Sequence, residues 1–292
     1  MPHTFERTFR VRAYECDTLG HVNNANYLRY MQEAAIEASA DAGYDTRRYT
    51  EMGKSWLIRE TSVEYFSPLF FGDTLILKTW VADVRRVRSR RMYEFRKAGA
   101  AELVARADTD WIFLDQKTGR PAGVPEPLKL AFFPEGVPAT APAREPFPEP
   151  PPLPPKIHVV QRQAEWRDID MVGHVNNAVY LAYVEEAGVD VAASHGWPIS
   201  RLIESGMGLV ARKHRIQYLQ AASLGEAIRV ETWLAPPRTT SVIRHYLIRR
   251  SGDGALLAQT QTVWVMIDLK TGRPLRFPDE FMADIQDNIG IR

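Results

Sequence analysis

Asp17-Thr-Leu-Gly-His-Val-Asn-Asn-Ala-Asn-Tyr27 and Asp170-Met-Val-Gly-His-Val-Asn-Asn-Ala-Val-Tyr180 are one eleven-residue pattern written twice, 153 residues apart. In each, Asp stands three positions before Gly and ten before Tyr. The same shift keeps working downstream, pairing Gly43 with Gly196, Tyr65 with Tyr218, Gly72 with Gly225, Trp80 with Trp233 and Trp111 with Trp264. It ends by matching Asp115-Gln-Lys-Thr-Gly-Arg-Pro121 to Asp268-Leu-Lys-Thr-Gly-Arg-Pro274. A whole domain has been duplicated. The period is too long for a solenoid, whose units run about 20 to 50 residues, so two tandem copies of one independent fold are expected.

Between the copies the composition changes. Ten of the chain's 20 prolines fall from Pro134 to Pro155, and Glu149-Pro-Pro-Pro-Leu-Pro-Pro155 favours an extended polyproline II tether. The expected organisation is a first domain over residues 1–133, a proline-rich linker over 134–156 and a second domain over 157–292.

Within one copy, residues 7–15 alternate as a strand does, and Asp17 to Asn24 is too rich in Gly and Asn to continue it. A helix follows, capped by Asn23 or Asn24, with Tyr27, Leu28, Tyr30, Met31, Ala34, Ala35 and Ala38 at helical spacing over more than one face. Such a helix is buried. Strand-forming runs come near 56–66, 74–84, 87–97 and 102–114, with Gly72-Asp73 and Lys97-Ala-Gly99 as turns. The fold class is α+β: one long helix against a curved antiparallel sheet, twice.

The bulk numbers exclude several partners. The 292 residues, 45% hydrophobic, carry a net charge of +1, so no global field draws the chain to nucleic acid or an anionic membrane. No apolar run approaches the roughly 20 residues of a membrane span, and the first residues lack the order of a secretory signal. The single cysteine, Cys16, makes no internal disulfide and has no neighbouring metal ligands, and it aligns with Ile169 as a packing position. A cytoplasmic chain without metal is the expectation.

The repeated segment resembles the hotdog-fold acyl thioesterases of the 4-hydroxybenzoyl-CoA thioesterase superfamily, and the resemblance covers nearly the whole chain in tandem, double-hotdog form. Tyr65-Phe-Ser-Pro-Leu-Phe-Phe-Gly-Asp73 resembles a strand-and-turn pattern of that family, of which the second copy keeps Tyr218, Gly225 and an acidic Glu226. The resemblance implies two hotdog domains paired as an internal pseudo-dimer. It makes Asp17 and Asp170 the carboxylates that attack the thioester carbonyl or activate a water to do so. Asn24 and Asn177 would act through backbone N–H groups at a helix N-terminus, where donors and the positive dipole end stabilise an oxyanion. His21 and His174 could orient substrate, take a proton, or satisfy a backbone carbonyl. Gly20, Gly173, Asn23, Asn176, Tyr27 and Tyr180 would then contact substrate.

Read without the resemblance, Asp, Asn and Gly are also ordinary turn and capping residues. Glu33 and Glu186, which coincide between copies, read as support for the loop or as a solvated helix face. Arg86, Arg88 and Arg90 alternate onto one strand face, where a CoA nucleotide or an acidic carrier would be attracted, and they read equally as edge protection. The implied activity is acyl-CoA hydrolysis with no cofactor, in a homo-oligomer of double-hotdog chains. Acyl-carrier-protein substrates are an alternative, although Leu19 and Val172 replace an Asn that the plant acyl-carrier-protein enzymes carry. A non-catalytic acyl-CoA-binding protein is another. A hydratase or dehydratase would have His five residues after Asp, and here the spacing is four.

Overall fold

Alternating burial along Thr74–Val84 and Arg88–Lys97 puts every second side chain into a core, as a pleat with one covered face requires. The computed structural model describes residues 1–140, 143 and 145–290 and separates the chain into two units, Met1–Pro146 and Phe147–Arg292. The boundary falls inside the proline-rich segment. Its later part belongs to the second unit, because Pro154 is buried, Arg215 lies 5.3 Å over the Phe147 ring and Asn288 donates to the Lys156 carbonyl at 3.0 Å.

The first unit runs β1 (Thr4–Arg10), a 3-10 turn (Ala13–Glu15), α1 (Asn24–Asp41), α2 (Thr46–Glu51), β2 (Lys54–Tyr65), β3 (Thr74–Val84), β4 (Arg88–Lys97), β5 (Leu103–Asp115) and α3 (Glu126–Phe132). Its strands are hydrogen-bonded in the order β1-β3-β4-β5-β2, all antiparallel. The second unit repeats this with β6 (His158–Gln163), a 3-10 turn (Trp166–Asp168), α4 (Asn177–Ser194), α5 (Ile199–Glu204), β7 (Met207–Tyr218), β8 (Ala227–Leu234), β9 (Ser241–Arg250), β10 (Leu256–Asp268) and α6 (Asp279–Asp284). Its strand order is β6-β8-β9-β10-β7. In the first unit α1 packs on β1 and β3, and in the second α4 packs on β6 and β8. Tyr27, Leu28, Met31, Ala34 and Ala38 of α1 are almost wholly buried. Helix N-termini are fixed by Asn23 and Asn176, whose side chains accept from the Ala25 and Ala178 amides at 3.0 and 2.9 Å.

The first strand is shorter than its alternation predicts. It ends at Arg10 because the Asp73 carbonyl takes the Val11 amide, after which the Glu15 carboxylate accepts the Arg12 amide at 2.7 Å and folds residues 13–15 into a turn. The short helices α2 and α3 have no periodic run long enough to be read in sequence; α2 rests on its cap, Asp45, which accepts from the Arg48 amide.

Candidate active site

Each repeated segment folds into a small closed loop between the 3-10 turn and the helix. The Asp17 amide donates to the His21 carbonyl at 2.8 Å, and the Gly20 amide donates to the Asp17 carbonyl at 3.0 Å. Asp170, His174 and Gly173 repeat both bonds at 2.9 and 3.0 Å. Closing so tight a loop needs a left-handed residue, and Gly20 and Gly173 supply it at φ +77° and +87°. One carboxylate oxygen of each Asp is committed to the loop. Asp17 Oδ1 accepts from the Leu19 and His21 amides at 2.8 and 3.2 Å, and Asp170 Oδ1 accepts from the Val172 amide at 2.9 Å. This fixes the carboxylate's direction without burying it: Asp17 is exposed and Asp170 half-buried. Asn24 and Asn177 are the first helical residues, so their amides sit at the positive end of α1 and α4, with the Asp loop immediately before them.

Two contacts beyond the segment hold it in place, and neither stands out in the sequence. The first is an acid–tyrosine clasp. Tyr30 donates to Glu15 Oε2 at 2.8 Å while the Glu15 carbonyl takes the Asn23 amide at 2.9 Å. Tyr183 donates to Asp168 Oδ2 at 2.7 Å, and the Asp168 carbonyl takes the Asn176 amide at 2.8 Å. Burial, then the bond to the neighbouring carboxylate, pushes both phenols well above their ordinary range and keeps them protonated as donors. The second contact is a clamp from the β2–β3 connection. Val22 donates to the Leu69 carbonyl at 2.8 Å, Asp73 Oδ2 accepts from the Phe70 amide at 3.0 Å, and Lys97 reaches Asp73 at 2.6 Å. In the second unit Val175, Ala222, Ser223, Glu226 and Arg250 repeat the arrangement. The 153-residue shift carries Glu15 to Asp168, Tyr30 to Tyr183, Asp73 to Glu226 and Lys97 to Arg250, so each member recurs in sequence although the pairing does not show there.

The remaining expected site residues separate into groups. Asn23 and Asn176 are caps. Tyr27 and Tyr180 are core residues, each 2% exposed, and their hydroxyls face the clamp: Tyr180 accepts from the Ala222 amide at 3.0 Å. Burial first of all raises Tyr180 to about 12. Their contribution is to position the loop from beneath. His21 is half-buried with its ring edge-on to Phe70 at 5.2 Å, whereas His174 is exposed.

For Arg86, Arg88 and Arg90 the structure corrects the edge-protection expectation. Arg86 lies in the turn before β4, and β4 has β3 on one side and β5 on the other, so these side chains guard no edge. Arg90 is held by Asp108 at 2.7 Å. Arg86 and Arg88 stand at the Val84 end of β3, while the clamp and the Asp17 loop stand at its Thr74 end, roughly 30 Å along the strand. At that distance Arg86 and Arg88 do not touch the reacting carbonyl at Asp17 itself. Glu33 and Glu186 are exposed, Glu186 paired with Arg162 at 2.6 Å, as the solvated-face reading has it. Among the described residues, no cluster of His, Cys, Asp and Glu could hold a metal ion, and no helix is long and apolar enough to cross a membrane.

A twofold sheet-and-helix unit with this loop is a tandem hotdog, and residues 11–132 and 164–285 each match the family described as the thioesterase-like superfamily. The chain belongs to that family. It is 26% identical over 192 residues to a chloroplast acyl-[acyl-carrier-protein] hydrolase of Cuphea viscosissima, covering 63% of this chain and 47% of that one. The chain thus spans about half the length of the plant relatives it matches. A protein of Bacillus subtilis strain 168 assigned as an acyl-CoA thioesterase is 27% identical over 122 residues, 41% of this chain and 86% of that one. Among solved structures, a protein of Lactobacillus plantarum assigned as an oleoyl thioesterase superposes with a TM-score of 0.79 at 17% identity, covering 90% of this chain and 96% of that one. The 12:0-acyl-carrier-protein thioesterase of Umbellularia californica gives 0.69 at 19% identity, covering 89% and 93%.

Proposed function

We propose that this chain hydrolyses acyl thioesters to a free acid and the carrier thiol, using Asp17 and Asp170 as the carboxylates that attack the thioester carbonyl or activate water. The observation carrying the reading is the twice-built loop that ties one carboxylate oxygen to backbone amides in the turn immediately before a long helix. A carboxylate there supplies the base or nucleophile, and helix-terminal donors stabilise the oxyanion that forms as the carbonyl is attacked. His21 and His174 border the same loops and orient the substrate. These residues suffice without a metal or organic cofactor.

Acyl-CoA is the first carrier to test. Acyl-carrier-protein thioesters are the second, favoured by the likeness to the Cuphea hydrolase, which extends beyond one unit. Domains 1–133 and 157–292 joined by a linker over 134–156 whose later part packs on the second unit, a homo-oligomeric assembly and a cytoplasmic location complete the proposal. Free-thiol release from matched acyl-CoA and acyl-carrier-protein substrates, after exhaustive chelation, tests it. Turnover is expected; no thiol release across short, long and aromatic acyl groups on either carrier would overturn it in favour of a binding protein.

A further inference from the structure

The two loops share the backbone bonds of the clasp, cap and clamp, and at position 70 and its equivalent 223 only the first unit places a ring against a site residue. In the first unit, Phe70 and His21 form an isolated backbone bridge, and the Phe70 ring meets the imidazole edge-on, centroids 5.2 Å apart and planes at 81°. Phe70 is itself 45% exposed, so the hydrophobic core does not explain its presence. Its backbone is fixed independently of its ring, since its amide donates to Asp73 Oδ2 and its carbonyl accepts from the Asp73 amide at 3.1 Å. The equivalent residue, Ser223, has the same backbone frame: its amide donates to Glu226 Oε2 and its carbonyl accepts from the Glu226 amide, both at 3.2 Å. Ser223 has no ring to offer. Among the described residues no aromatic side chain meets His174, which is exposed where His21 is half-buried. The protein therefore offers an internal comparison, in which the closing bonds of the loop and the clamp recur with and without an aromatic wall against the histidine.

We propose that Phe70 is a positioning residue that fixes the His21 imidazole beside Asp17, and that the Asp17 loop consequently carries the larger share of thioester turnover. The physical reason is entropic. The second torsion of histidine has broad wells, so an imidazole at a loop surface samples many orientations. An edge-on aromatic contact on a fixed backbone removes most of them before substrate arrives. Misplacement by about 1 Å costs up to about 100-fold in rate, so an ordered and an unordered histidine in otherwise equal loops should differ measurably in turnover.

The inference rests on the thioesterase reading, and the experiment keeps the two apart. In full-length protein carrying Asp170→Asn, which confines turnover to the first unit, Phe70→Ala is expected to lower kcat about 10-fold with KM within about twofold, while Phe70→Tyr keeps kcat within about twofold. In the Asp17→Asn background, Ser223→Phe is expected to raise the residual kcat severalfold. Carbon-13 histidine labelling adds a readout independent of activity: the His21 ring resonances, assigned by their loss in His21→Gln, should lose the Phe70 ring-current shift in Phe70→Ala and keep it in Phe70→Tyr. Equal kcat for Asp170→Asn with and without Phe70→Ala would overturn the proposal, as would unmoved His21 resonances. Should Asp17→Asn/Asp170→Asn retain full activity, the thioesterase mechanism fails instead, and the resonances alone decide whether Phe70 orders His21.

Discussion

The first and second units agree in what their backbones bond to and disagree in what their interiors contain. Clasp, cap and clamp recur with the same chemistry: Glu15 and Asp168 each take a tyrosine hydroxyl, Asn23 and Asn176 each cap a helix, Asp73 and Glu226 each hold a loop amide. Inside, the units have diverged. His214 and His245 are buried in the second unit where the 153-residue shift finds Thr61 and Met92 in the first. Arg91 and Arg244 are both buried, but Arg91 lies 5.4 Å from the Phe132 ring while Arg244 donates to Asn288 Oδ1 at 2.9 Å. Burial lowers both guanidiniums, Arg244 to about 10. Bonds to backbone groups set the loop's shape, so a change there moves the site. Interior side chains have only to fill the space and satisfy their polar atoms, which many residues do.

The largest effect expected is catalytic. Asp17→Asn/Asp170→Asn should lose at least about 100-fold in turnover, with unchanged melting and near wild-type affinity for a non-hydrolysable acyl-CoA analogue. Each single variant should keep part of the activity. The comparison breaks if one single variant is already inactive and the other unaffected, since one copy would then be structural only. Thiol release, calorimetry and melts on the same samples decide it.

Next come the clasps. Tyr30→Phe leaves a buried carboxylate short of a donor and should destabilise the first unit by about 2 kcal/mol; Tyr183→Phe, against the half-buried Asp168, should cost about 1 kcal/mol. Hydrogen exchange resolved by unit would read the difference. Equal effects would mean that the burial of Glu15 adds nothing.

Acid should separate the units further. Burial holds His214 down to about 3 and His245 to about 4. Below about pH 6.5 the unfolded chain binds protons that the folded second unit refuses, so stability falls as pH falls through that window, by about 1 kcal/mol per pH unit for each ring. Above it neither ring contributes. Exchange protection in the second unit should therefore decline between pH 6.5 and 5 faster than in the first, and His214→Thr with His245→Met should remove the excess.

The smallest effect expected is at the loop glycines. A Cβ at Gly20 or Gly173 meets nothing within 4 Å, so Gly→Ala carries only the left-handed backbone penalty, about 1 kcal/mol. A melting change much larger than this at either position would reveal a contact that the comparison between units omits.

Short-range order made the fold readable in the sequence. The Asp-x-x-Gly-His loop, the capping asparagines and the four strand runs depend on residues a few positions apart, and the repeat needs only one fixed 153-residue shift, so none of them depends on where the loop is placed. The end of β1 does not follow from its alternation, because Asp73 takes the Val11 amide from a distant part of the chain. The arginines looked like one strand face, but their distance from Asp17 depends on which end of β3 each meets, and alternation does not encode that. Tyr27 lies beneath the site and not on its lining, because the helix turns that face toward Tyr65 and Phe95. The sequence by itself determined two copies of one fold and where each copy's carboxylate loop lies. Only the tertiary structure decided which side chains hold that loop still, because Glu15 with Tyr30, Asp73 with Lys97 and Phe70 with His21 are brought together by folding across many intervening residues.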